Sequence, residues 1–182
     1  RTKNAAVHRG AHLVAEEASE VYERARENIA RFIGAKSDEV IFTKSATESL
    51  NLIAYSLGNP ESKFHLSSGD EIVVSEMEHH ANLIPWQQLA KRVGAKLTWF
   101  KITDEGRLDL SDIDTLINKK TKIVAITHQS NVLGTIVPLA QITKAAHAVG
   151  AVVVLDACQS VPHFAVDVKK LEVDFLAFSG HK

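Results

Sequence analysis

Five short polar clusters hold most of the side chains in this sequence that could do chemistry. They are Thr43-Lys44-Ser45-Ala46-Thr47-Glu48, Ser75-Glu76-Met77-Glu78-His79-His80-Ala81-Asn82, Thr127-His128-Gln129-Ser130-Asn131, Asp156-Ala157-Cys158-Gln159 and Ser179-Gly180-His181-Lys182. Lys182 follows an apolar run and a small turn, a sensible way to present an amine to a bound aldehyde cofactor. Read in isolation it is a solvated lysine. Asp156 follows Val152-Val153-Val154-Leu155. A carboxylate at a buried strand end is costly unless paired. A protonated pyridine nitrogen would offset that cost, and so would turn amides. Ser45-Ala46-Thr47 precedes a helix, where free backbone N–H groups and a hydroxyl suit a phosphate, or form an ordinary cap. His79 and His80 are adjacent and so point in different directions. An imidazole there could stack on a planar cofactor or shuttle a proton; the plainer reading is one surface and one core histidine. Cys158 has no basic neighbour in sequence to lower its pKa, which makes it a packing residue. His79, His80, His128, Asp156, Cys158 and His181 match no HExxH or paired CxxC/HxxxH spacing, so no metal is expected.

The elements that must position these clusters follow from periodicity. Leu13, Val14, Ala18, Val21, Tyr22, Ala25, Ile29, Phe32 and Ile33 recur at helical spacing and end at Gly34. Val40 to Thr43 reads as a short strand, Ser45 to Gly58 as a turn and helix, and Glu61 to Gly69 as a loop. Strands are then expected at Glu71 to Ser75, Lys96 to Ile102, Lys122 to Thr127, Ala151 to Leu155 and Asp174 to Phe178. Helices are expected at Ala81 to Val93, Leu110 to Asn118 with Ser111 as N-cap, and Leu139 to Val149. Strands alternating with helices of about ten residues imply one α/β domain, a mostly parallel sheet with helices on both faces. In such sheets ligands sit beyond the C-terminal strand ends. Every one of the five clusters falls there.

Composition narrows the class. The chain has 182 residues, a formal net charge of -1 and 45% hydrophobic residues. That charge gives no footprint for nucleic acid or an acidic membrane. The apolar runs are strand-sized and do not span a bilayer. A single cysteine fits a reducing compartment, and Arg1-Thr2-Lys3-Asn4 carries no signal-peptide pattern.

Asn4-Ala5-Ala6-Val7-His8-Arg9-Gly10, Met77-Glu78-His79-His80-Ala81-Asn82-Leu83-Ile84-Pro85-Trp86, Ser130-Asn131-Val132-Leu133-Gly134 and Phe178-Ser179-Gly180-His181-Lys182 together resemble the SufS-type cysteine desulfurases. These are fold-type I, class V aminotransferase-like enzymes that use pyridoxal 5'-phosphate. The resemblance runs from about Asn4 to Lys182. It implies that residues 1–182 are part of the cofactor-binding large domain, with the small domain absent and the chain short at both ends. It also implies that Lys182 holds the cofactor covalently, that Asp156 pairs the pyridine nitrogen, and that Gln159 meets the ring phenolate oxygen. His79 would stack on the ring and serve in acid-base steps. Ala46, Thr47, Ser179 and His181 would hold the phosphate. Asn131 would lie near the ring oxygen and the substrate carboxylate, and His8 at the site rim. Two departures stand out. Ala46 replaces a hydroxyl residue of the family, and Cys158 is not the family's sulfur-accepting cysteine. That cysteine and the carboxylate-binding arginine belong further downstream.

The resemblance therefore implies a portion of an enzyme that takes sulfur from L-cysteine, leaving L-alanine and an enzyme persulfide. The sulfur would go to an acceptor protein of iron–sulfur cluster assembly. A homodimer in the cytoplasm is expected, an organellar precursor being the other option. Rival readings are a selenocysteine lyase acting on L-selenocysteine, another class V enzyme, or a non-catalytic fold that binds cofactor or partner only.

Overall fold

A computed structural model describes residues 4–182. They gather into two compact units, one running to Phe42 and including Val166–Lys169, the other comprising Thr43–Ala165 and Lys170–Lys182.

The first unit is built on the long helix α1 (Leu13–Ile33), as its periodicity predicts. His12 caps it, its Nδ1 accepting from the Ala15 N–H at 3.3 Å. Gly34 stops it in the left-handed region at φ 73°, where a side chain would also run into Asp167. A 3-10 turn follows at Ser37–Glu39. The strand expected at Val40 to Thr43 does not form. The Val40 N–H turns back to the Ser37 carbonyl at 3.3 Å. Its own carbonyl accepts from the Arg26 guanidinium, which also lies over the Phe42 ring at 5.3 Å. With both backbone groups engaged locally, Val40 has nothing to offer a ladder.

The second unit is the α/β core. Helix α2 (Ala46–Leu57) precedes the sheet. Strands β1 (Glu71–Ser75), β2 (Lys96–Phe100), β3 (Thr121–Thr127), β4 (Val152–Asp156) and β5 (Phe175–Ala177) then alternate with α3 (Ile84–Val93), α4 (Ile113–Leu116), α5 (Leu139–Ala148) and α6 (Val168–Leu171), whose first two residues belong to the first unit. All strand pairs are parallel, in the order β2-β1-β3-β4-β5. The alternation of side chains assigns the two faces. Ile72, Val74, Ile123, Ala125, Val152, Val154 and Ala177 pack with Leu50, Ala54 and Leu57 of α2 and Trp86 and Leu89 of α3. On the strands, Val73, Val124, Ile126, Val153 and Leu155 alternate with that set and are also buried. Helix α5 packs on β3 and β4, with Ile142 and Ala146 fully buried. Double coverage explains why the strands read as continuous apolar runs.

Two helices are shorter than their patterns suggest. The segment from Leu110 to Asn118 is helical only at Ile113–Leu116. Asp109 Oδ1 accepts from the Ser111 N–H at 2.9 Å, so that Ser111 sits in a turn and Asp112 occupies the N-cap position. The helix expected from Ala81 instead begins with a 3-10 turn at His80–Asn82, and Pro85 sits in the first turn of α3.

Winding reverses between β1 and β3, because β2 lies on one side of β1 and the later strands on the other. A crevice beyond the carboxyl ends of the strands is the expected consequence.

Candidate active site

A cleft of about 210 Å³ opens at that place. Its floor is Asp156, the last residue of β4, which is 5% exposed. Asp156 Oδ1 accepts from the Cys158 N–H at 3.0 Å, so a turn amide provides part of the pairing that a buried carboxylate needs. Across the ladder, Asp156 is opposite Thr127 at the end of β3. Gln159 borders the cleft from the turn after β4, and Asn131 from the turn after β3.

One wall is the N-terminus of α2. Ser45 is extended and caps the helix, its Oγ accepting from the Glu48 N–H at 3.2 Å. Ala46 and Thr47 come next, both bordering the cleft. Helix geometry leaves first-turn N–H groups without intrahelical partners, and the helix dipole adds positive potential there. Ser179, His181 and Lys182, beyond β5, border the same cleft. Hydroxyl, imidazole, ammonium and free amides thus border the same cleft, a donor set that suits an anion.

His79 supplies another wall, on the loop after β1. Its Nδ1 accepts from the Ala81 N–H at 3.1 Å, which places the proton of the neutral ring on Nε2. His80 turns away, its ring centroid 6.3 Å from that of His79.

The structure thus brings Ala46, Thr47, His79, Asn131, Asp156, Gln159, Ser179, His181 and Lys182 to a single cleft. His8 belongs to the first unit, where its Nε2 lies 2.8 Å from Glu23 Oε1 and its backbone is left-handed at φ 60°. Among the described residues no group of three or more His, Cys, Asp or Glu is placed to hold a metal, and no helix is long and apolar enough to cross a membrane. His128 is instead a core residue. It is 5% exposed, its Nδ1 lies 3.0 Å from Ser160 Oγ, and burial holds its pKa below the ordinary value.

Two groups gain significance only from tertiary contacts. Gln129 Nε2 donates to the Gly134 carbonyl at 3.2 Å, which fixes the amide, and its buried Oε1 has no partner among the described residues beside the cleft. Cys158 also borders the cleft. Burial and the Asp156 charge push its thiol up to about 12, so it is a poor nucleophile at neutral pH.

Pyridoxal phosphate can be tested against this donor set. A buried carboxylate suits a ring N–H, a helix N-terminus with two hydroxyls suits a phosphate, and a lysine suits an aldehyde. The orphaned Gln129 Oε1 marks one more polar position awaiting a donor. The residues present fit the group.

Residues 1–182 match the aminotransferase class-V family. A probable cysteine desulfurase 2 of Mycobacterium leprae is 54% identical over 184 residues, which is 100% of this chain and 43% of that protein. The apo structure of a cysteine desulfurase from Thermococcus onnurineus superposes with a TM-score of 0.92 at 48% identity, covering 100% of this chain and 44% of that one. A solved structure of SspA in complex with cysteine is 28% identical, with a TM-score of 0.85, covering 100% of this chain and 51% of that one. The chain therefore spans under half the length of the curated relative and about half or less of each solved structure.

Proposed function

The chain belongs to the aminotransferase class-V family, and we propose that it forms part of the cofactor-binding large domain of a pyridoxal-phosphate-dependent cysteine desulfurase. The observation that carries this reading is the convergence of Asp156, His79, the α2 N-terminus and Lys182 on one cleft.

When bound, pyridoxal phosphate supplies a protonated ring that stores the electron pair left when the substrate Cα loses its proton. Asp156 keeps the ring nitrogen protonated. Gln159 orients the ring oxygen. The N–H of Ala46, with Thr47, Ser179 and His181, binds the phosphate. His79, which borders the cleft with its tautomer set by Ala81, would meet the ring and could exchange a proton through Nε2. Lys182 would hold the cofactor through its amine, and the same amine is the group that could move the Cα proton of the substrate. Asn131 holds the substrate carboxylate.

The net change is L-cysteine plus an enzyme thiol to L-alanine plus an enzyme persulfide. Cys158, with its thiol at about 12, is not the sulfur acceptor. That thiol belongs to the part of the relatives' length that this chain does not span. The Glu78-His79-His80-Ala81-Asn82 run supports the SufS branch. On this reading the sulfur passes to an acceptor protein for iron–sulfur assembly, in a cytoplasmic homodimer.

The decisive experiment uses the full-length protein. Wild type should carry a visible absorbance band and release alanine from L-cysteine. Lys182→Ala should lose both, and a Lys182→Ala protein that kept the band would overturn the assignment. Running L-selenocysteine in parallel separates desulfurase from selenocysteine lyase.

A further inference from the structure

Glu78 takes no part in the chemistry above, yet it is the most heavily bonded carboxyl near the cleft. Its Oε1 accepts from Ser75 Oγ at 2.5 Å and from the Thr127 N–H at 3.0 Å, and its Oε2 accepts from Asn82 Nδ2 at 2.6 Å. Asn82 Oδ1 in turn accepts from the Trp86 indole at 3.0 Å, with both residues fully buried. Glu78 therefore joins β1, the end of β3 and the 3-10 turn after His79, and Asn82 extends the link to α3. The loop it clamps carries His79. The strand end it grips is opposite Asp156 in the ladder.

We propose that Glu78 is a positioning residue whose proton is linked to cofactor binding through the charge at Asp156. The inference rests on reading the cleft as a pyridoxal-phosphate site. Burial, the largest influence, raises the proton affinity of Glu78. Its three donors lower it, and Asp156 on β4 raises it, leaving the carboxyl at about 7. Asp156 is the charged group that bears on it from β4, with β3 between. Of its loop neighbours, Glu76 accepts from the Ile102 N–H and His79 from the Ala81 N–H.

The clamp tolerates either protonation state. Ser75 Oγ accepts from the Met77 N–H at 3.1 Å, and its hydroxyl can either donate to Glu78 or accept from it. When Glu78 Oε1 carries the proton, it donates to Ser75 Oγ while the Thr127 and Asn82 donors stay in place. A cation paired with Asp156 cancels the repulsion that Asp156 exerts on Glu78. Binding of a protonated ring then drives the Glu78 proton into solvent. By reciprocity, ionised Glu78 favours the ring, and affinity rises with pH across the titration.

The test is calorimetric titration of the full-length apo protein with pyridoxal phosphate. Buffers of different ionisation enthalpy count the protons exchanged from pH 6 to 8.5. Wild type should release about half a proton more than Glu78→Gln near pH 7. Its affinity should gain about fivefold or more over that of the variant as pH rises. A ring analogue with carbon in place of the pyridine nitrogen should bind wild type without the extra release. Read at the pH values where the free ring already carries its proton, so that the nitrogen itself takes up none, that comparison decides the matter even if Glu78→Gln does not fold. Equal proton release with both ring compounds in wild type, or from both proteins, overturns the inference while leaving the cofactor reading intact. No binding of pyridoxal phosphate overturns both.

Discussion

Asp156 and Cys158 are two residues apart, and the same burial gives them opposite uses. The Asp156 carboxylate accepts from the turn amide of Cys158 and borders the cleft. We expect Asp156→Ala in the full-length protein to lose alanine production from L-cysteine by about 100-fold or more, the usual scale for removing a preorganised charge. Near-normal turnover would contradict its role. The Cys158 thiol, pushed up by burial and then by that carboxylate, has almost no thiolate at neutral pH. Its alkylation by iodoacetamide should be about 100-fold slower than that of free cysteine, and mass spectrometry after turnover should find no persulfide on it. Sulfur on Cys158 would sink this reading. Asp156, Lys182 and His79 were legible in the sequence because each stands at the end of an apolar run or beside a turn. Gln129 and Glu78 lay within the same polar clusters but carried no signal of their own. Their significance comes from what they face: nothing, for Gln129 Oε1, and three donors, for Glu78.

At the scale of elements, the loop from Ser75 to Asn82 does more than connect β1 to α3. Asn82 is fully buried between Glu78 and Trp86. Asn82→Ala would leave an indole N–H and a carboxyl oxygen without partners, at a cost of about 2–4 kcal/mol. Chemical denaturation should read this as a lowered midpoint. A change under about 0.5 kcal/mol would show that water or rearrangement replaces the amide. The main strands and the larger helices were legible from periodicity, because double coverage makes strands apolar throughout and the helices amphipathic. Where the sequence misled, side chains had captured the backbone. Arg26 takes the Val40 carbonyl in place of a strand partner, and Asp109 takes the Ser111 N–H in place of a helix.

For the whole molecule, pH dependence of stability provides a test that needs no cofactor. Glu78 rises from 4.5 to about 7 on folding. The folded state therefore holds a proton that the unfolded state has released. The corresponding stability is fully present below 4.5 and lost as pH rises through about 7, an amount of about 3 kcal/mol. His128, held below its ordinary value by burial, works in the other direction and lowers stability as pH falls through 6.5. Comparing wild type with Glu78→Gln isolates the first effect: the difference in denaturation midpoint should vary between pH 5 and 8. A constant difference would mean that Glu78 keeps one protonation state throughout. The sequence by itself determined the fold class, the parallel strands and the residues that a resemblance could assign, because periodicity and strand-end position are local properties of the chain. Only the tertiary structure decided which of those residues share a cleft, that the Asp156 carboxylate adds to burial in raising the Cys158 thiol, and that burial raises the Glu78 carboxyl towards neutrality. Proton affinity and unmet hydrogen bonds depend on neighbours that are dozens of residues away in sequence, as Thr127 is from Glu78, and only the folded sheet brings them together.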